Sequence, residues 1–102
     1  MRLFIEPEAE AELDDAAERY EHSLPGLGFE FLAEMRQRTS AVLEAPLTYP
    51  RFGNVKGVRC AHAVRRFPHL IVFLVLGDTV RVLAFMHPRR RPGYWRSRLP
   101  EP

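Results

Sequence analysis

"HLIVFLVLGDTVRVLAFMH", residues 69–87, is the stretch whose reading decides the fold. Leu70 to Leu76 are consecutive apolar residues, a run of a length that suits a buried strand, and residues 79–87 alternate imperfectly with the period of two of a pleated strand. Gly77-Asp78 between them is turn chemistry, so the stretch predicts an antiparallel hairpin. Just upstream, "GVRCAHAV" (57–64) alternates loosely and predicts a third strand of the same meander.

The first half of the chain has a different period. Leu3, Phe4 and Ile5 read as a short strand ended by Glu6 and Pro7. Pro7 suits the first turn of a helix, where its missing N–H has no partner to lose, and Glu8 and Glu10 complement the positive end of the dipole. Ala9, Leu13, Ala16 and Tyr20 then recur at helical spacing until "HSLPGLG" (22–28) interrupts with a tight connection. Leu32, Met35, Thr39 and Val42 resume the helical period up to "APLTYP" (45–50), where Pro46 and Pro50 forbid continuation. Helices over 7–21 and 26–44 thus form an antiparallel hairpin. The expected class is α+β: an N-terminal strand, the helical hairpin, then a three-stranded antiparallel β-meander, with the helices on one face of the sheet. One domain over 1–98 is expected, followed by a short disordered C-terminus over 99–102.

A chain of 102 residues, 46% apolar, has material for one core. Its longest apolar run is far short of the roughly 20 residues that span a bilayer, and its N-terminal apolar stretch is shorter than the about 7 to 15 of a secretory signal. A cytoplasmic protein without membrane contact is the expectation. Cys60 is the one cysteine and reads as a small core hydrophobe. His22, His62, His69 and His87 are scattered without ligand spacing, so no metal and no cofactor is expected. The net charge of +2 conceals a division: residues 1–50 hold four arginines against eleven acids, a balance of −7, and residues 51–102 hold ten arginines and Lys56 against Asp78 and Glu101, a balance of +9. Such asymmetry predicts a solvated acidic face and a basic surface aimed at an anionic partner. Arginine among the cations favours planar, bidentate contacts.

Regular alternation puts Val80, Val82, Ala84 and Met86 on one face of the last strand and Arg81, Leu83, Phe85 and His87 on the other. The preceding strand is equally apolar on both faces, yet a helical hairpin covers only one. The uncovered face is therefore expected to bind another chain, through Ile71, Phe73, Arg81, Leu83, Phe85 and His87, with Arg89, Arg90 and Arg91 at its rim. The chain's own tail could cover part of that face through Tyr94 and Trp95, which would anchor it, and Arg96 and Arg98 read as plain tail.

Two chemistries remain open for "HPRRRPGYWRSR" (87–98). Arginines beside Tyr94 and Trp95 permit backbone contact and stacking with a nucleic acid. Acid/base cleavage of RNA would use His87, Arg90 and Tyr94, since arginine stabilises phosphorane-like charge and His or Tyr moves protons. Arg65 or Arg66, adjacent and pointing oppositely on an extended segment, would supply one phosphate contact. Arg81 is about 20 Å along the strand from His87, too far to act on the same bond. No catalytic residue is favoured on spacing.

Together, "AERYE" (17–21), "PGLGFEFL" (25–32), "YPRF" (49–52), "RRFPHLIVF" (65–73), "VLAFMH" (82–87) and "RRRPGYW" (89–95) resemble the RelE/ParE toxin family of bacterial type II toxin-antitoxin modules. "PGLG" and the run from His87 through "RRRPGYW" look more like its ParE-like branch. The resemblance implies a small cytoplasmic toxin in a hetero-oligomeric complex with a cognate antitoxin, whose partly disordered segment folds across the toxin. Operator DNA would be met only through that antitoxin. The family divides between toxins that act on DNA gyrase and ribosome-dependent mRNA endoribonucleases. The nuclease branch carries basic residues on the second strand and an arginine early in the third; here Arg59 and His62 stand on the one but Leu70 on the other. Arg89 or Arg90, Tyr94 and His87 match positions that nucleases use. The resemblance therefore implies a growth inhibitor that binds gyrase rather than an enzyme. Its alternatives are an mRNA endoribonuclease using Arg65, His87, Arg90 and Tyr94, and an inactive relative that only binds its partner.

Overall fold

Pro7 opens the first helix, as its ring favours, and the short strand before it is held by the far end of the chain. The structure, a computed structural model, describes residues 1–62 and 66–100. Its elements are β1 (Arg2–Ile5), α1 (Pro7–Ser23), α2 (Leu27–Glu44), a 3-10 turn (Pro46–Thr48), β2 (Val58–Ala61), β3 (Leu70–Leu76), β4 (Thr79–Met86) and a 3-10 helix (Tyr94–Arg98). The sheet runs β1-β4-β3-β2, antiparallel except that β1 lies parallel to β4, from Arg2 beside Thr79 to Ile5 beside Val82. This is the expected α+β architecture. Among the described residues, no helix is long and apolar enough to cross a membrane.

The two helices cover one face. Ala9, Ala16, Phe31, Met35 and Val42 pack on Ile71, Phe73, Val80, Val82 and Phe85, all fully or nearly fully buried. Small side chains let α1 lie close, and Gly28 lets α2 meet it: a Cβ there would stand 2.4 Å from the carbonyl oxygen of Ala17. The helix connection is tied by Glu21, whose carboxylate accepts the N–H groups of Gly26 (2.8 Å) and Gly28 (3.0 Å), two of the donors a helix start leaves open. That tie carries α1 two residues past its expected end. The second strand is shorter than expected and stops at Ala61. Of the remainder of "GVRCAHAV", Ala63 and Val64 lie outside the described residues.

Two expectations about the sheet are overturned. Pairing between β3 and β4 shifts register, from Val72 opposite Ala84 to Phe73 opposite Val82, which leaves Leu83 as an extra, bulged residue. The bulge reverses the phase of alternation, so Phe85 joins Val80 and Val82 beneath the helices, and Leu83, Ala84 and Met86 share the opposite face. That opposite face, expected to await another chain, is covered by the protein's own tail. Trp95, 1% exposed, packs on Val58, Val72, Leu74, Leu83, Ala84 and Met86, with Phe52, Val55, Tyr94 and Leu99 closing around it. Gly93, at φ +74°, turns the chain back onto the sheet, and Gly53 admits the indole, whose ring would lie 3.2 Å from a Cβ at that position. Of the terminus expected to be disordered, Leu99 thus packs on this cluster, and residues 101–102 lie outside the described residues.

Candidate interaction site

β1 is four residues long and β4 eight, so beyond Val82 the outer edge of β4 has no strand beside it. Backbone groups on such an edge need other partners. They are found in side chains from both ends of the chain. Glu12 of α1 accepts the Phe85 N–H at 3.2 Å, and the Arg98 guanidinium donates to the Leu83 carbonyl at 3.0 Å. The same Glu12 carboxylate accepts the Tyr94 hydroxyl at 2.5 Å and Arg98 at 2.9 and 3.3 Å, and it faces Arg90 at 3.4 Å. Arg90 in turn lies 3.8 Å over the Tyr94 ring and Arg98 lies 5.0 Å from its centroid.

This hub is partly dry: the Glu12 and Arg98 side chains are 13% and 11% exposed. Burial, then the hydrogen bond to Glu12 and its charge, push the Tyr94 hydroxyl well above the usual phenol range. Burial alone would lower Arg98, but the bond to Glu12 and its charge outweigh that and favour the cation further. Beside the hub, the His69 and His87 rings meet edge to face at 5.2 Å, lining with Asp15, Arg19 and Arg90 a small polar cleft of about 100 Å³. Burial, then His87, Arg19 and Arg38, pull His69 down to about 4. Its carbonyl accepts Arg38 at 3.0 Å, and the same guanidinium reaches the carbonyls of Ala61 and His62, so one α2 side chain pins the end of β2 and the approach to β3. Among the described residues, no three His, Cys, Asp or Glu side chains gather to hold a metal.

The residues of the nuclease alternative meet a mixed fate. Arg90 and Tyr94 come together, with His87 nearby, but each is engaged internally: Tyr94 and Arg90 by Glu12, and His87 through Nδ1, which accepts the Arg89 N–H at 3.1 Å. Arg65 lies outside the described residues. Arg66 pairs with Glu30 at 3.1 Å. Of the residues expected to bind a partner, Ile71, Phe73 and Phe85 are sealed beneath the helices and Leu83 beneath Trp95: the helices lie on the face that Ile71 and Phe73 share, the bulge in β4 brings Phe85 to it, and the returning tail covers the other face. Arg81 is held by Glu6 and lies 4.8 Å over the Phe4 ring. Arg89 and Arg91 remain exposed. Glu12, Arg38 and Arg98 were not legible as site residues. For Glu12 a signal existed: three residues after Ala9 and four before Ala16, it stands on the apolar stripe of α1, where a carboxylate needs partners.

Two concavities bear on partner binding. The first is an apolar groove of about 390 Å³ between the helices and β1, floored by Leu3, Ile5, Leu13, Leu32, Met35 and Leu43. It adjoins the free edge of β1, which pairs only with β4. The opposite sheet edge is closed, because Arg51 bridges Arg59, and Pro50 and Phe52 bond the backbone of β2. The second is a cleft of about 360 Å³ on the tail side, between Phe52 to Asn54 and the turn from Pro88 to Arg96.

A family model described as the ParE toxin of the type II toxin-antitoxin system parDE matches residues 3–92. The chain belongs to the ParE toxin family. Its fold is likewise that of a chain in the solved structure of the chromosomal ParDE TA system from P. aeruginosa, at a TM-score of 0.75 and 21% identity, covering 85% of this chain and 95% of that one. The chain matches no curated protein sequence. The family match ends at Pro92, so Tyr94, Trp95 and Arg98, which seal the sheet and complete the hub, follow the ParE-matched span.

Proposed function

We propose that this ParE-family chain is a cytoplasmic toxin that stops bacterial growth by binding DNA gyrase, and that a cognate antitoxin silences it in a hetero-oligomeric complex. The observation that carries the antitoxin part is the apolar groove between α1, α2 and β1 lying against an unpaired sheet edge. An amphipathic helix buries its stripe in such a groove, and a following extended segment adds a strand to such an edge. An antitoxin segment that folds on binding meets both in sequence, and operator DNA is then contacted through the antitoxin alone.

Action by binding rather than RNA cleavage is supported by the state of the tail. A general acid or base needs a proton it can give or take near working pH. The Tyr94 hydroxyl instead donates to Glu12 and is pushed upward, and Arg90 is shared between Glu12 and the Tyr94 ring. Expression of the chain in bacteria, with and without the small protein encoded beside it, tests the reading. Growth arrest relieved by that neighbour, with loss of plasmid supercoiling or accumulation of broken DNA, is the expected result. Arrest with codon-spaced mRNA ends and normal supercoiling would establish the endoribonuclease instead, and absence of arrest would leave an inactive binder.

A further inference from the structure

The tail-side cleft has a chemistry of its own. Its floor is apolar, made by Phe52, Met86 and Trp95, and Pro88 and Pro92 stiffen one wall. Arg90 and Arg96 line it, and Arg89 and Arg91 are exposed at the chain positions between the two prolines. Among the described residues, Arg89, Arg91 and Arg96 have no acidic partner, whereas Arg90 and Arg98 share Glu12. Arg96 thus lines an apolar depression large enough for one bulky side chain, and Arg89 and Arg91 flank its Pro88–Pro92 wall along the chain, each without an acidic partner among the described residues. Each guanidinium fork fits a carboxylate with two parallel bonds.

We infer that this cleft is a docking site for an acidic peptide segment of a partner protein, with one large apolar side chain seated against Phe52, Pro88 and Pro92 and its flanking carboxylates on Arg89, Arg91 and Arg96. A nucleic acid fits less well for a reason on the surface itself. Base stacking needs an open aromatic face, yet Trp95 is 1% exposed and Arg90 already lies over the Tyr94 ring. The prolines hold the wall in place beforehand, which lowers the ordering cost of binding.

This deepens the binding reading by naming what the target presents, and it is testable without the target. Trp95 is the one tryptophan, so its emission reports on the cleft directly. The probe is a short synthetic peptide of glutamates around a central phenylalanine, titrated into the full chain at low and moderate salt. Saturable change in emission is expected, weakened about tenfold in the variant Arg89→Ala/Arg91→Ala/Arg96→Ala, because three exposed charge pairs together account for roughly that factor. Unchanged thermal unfolding of the variant shows that the loss is not misfolding. Peptide binding untouched by the triple substitution overturns the inference. So does a single-stranded oligonucleotide of equal charge that displaces the peptide and binds more tightly, or a self-association, abolished by the same substitutions, that assigns the cleft to the acidic helix of a second copy. Failure of peptide binding beside intact arrest and lost supercoiling refutes the cleft and leaves gyrase as target, whereas peptide binding with undisturbed supercoiling does the reverse.

Discussion

Replacing Glu12 by alanine should unfasten the tail. The carboxylate accepts from Tyr94, Arg98, Arg90 and the Phe85 N–H, and its strongest partner, Arg98, is as buried as Glu12 itself. Removing one member of a buried ion pair costs about 3–5 kcal/mol, because the other charge stays desolvated. Here the lower end applies: Arg98 keeps its bond to the Leu83 carbonyl, and Arg90, half exposed, returns to water. A loss of about 3 kcal/mol in a domain of this length lowers Tm by roughly 12–24 °C. Glu12→Gln keeps an acceptor and loses the charge, so about half that loss is expected. Urea unfolding followed by Trp95 emission measures both, and a cycle with Tyr94→Phe isolates their coupling, expected near 1 kcal/mol. If Glu12→Ala unfolds within about 0.5 kcal/mol of the parent, the hub does not hold the tail and the reasoning fails.

Trp95→Ala empties the second core and should cost about 3–5 kcal/mol, with binding of a hydrophobic dye as the sheet face opens. His69 is buried and held near 4, against about 6.5 in the unfolded chain, so its contribution is complete above about pH 6.5 and is lost as pH falls toward 4. Comparing chemical unfolding at pH 7 and 4.5, His69→Phe should lose about 2–3 kcal/mol less than the parent over that interval. An equal loss in both would place the acid sensitivity elsewhere. Cys60 is buried and its thiol is pushed up to about 12 by burial, so a thiol reagent at pH 8 should label the native protein no faster than it unfolds.

The helical hairpin and the strands were legible because each is written in a local period: Ala9, Leu13, Ala16 and Tyr20 at helical spacing, and the unbroken run from Leu70 to Leu76. The faces of the sheet were not, because a bulge is decided by pairing. Nothing near Leu83 announces that Phe73 lies opposite Val82, and this one displaced residue moves Phe85 from the expected binding face to the core. The cover on the second face failed for a related reason. Composition shows that a face needs covering, and only the turn at Gly93 shows that Trp95 reaches it. The hub was legible only in pieces: Glu12 stands on the apolar stripe of α1 and Tyr94 stood out in the tail, but nothing in the sequence joins them to each other or to Arg98. The concave surfaces beside β1 and beside Asn54 emerge only after the rest has closed.

The pairing of β1 with β4 bears on how the protein is made. A ribosome delivers β1 and α1 first, but the strand that holds β1 and the arginine and tyrosine that satisfy Glu12 are delivered last. β1 and Glu12 must wait for β4 and the tail, so folding is governed by contacts of long sequence separation. Chains cut short before β4 and the tail carry an unpaired first strand and an uncovered sheet, and are expected to be substrates for proteolysis. The topology makes the folded state all or nothing for each molecule synthesised.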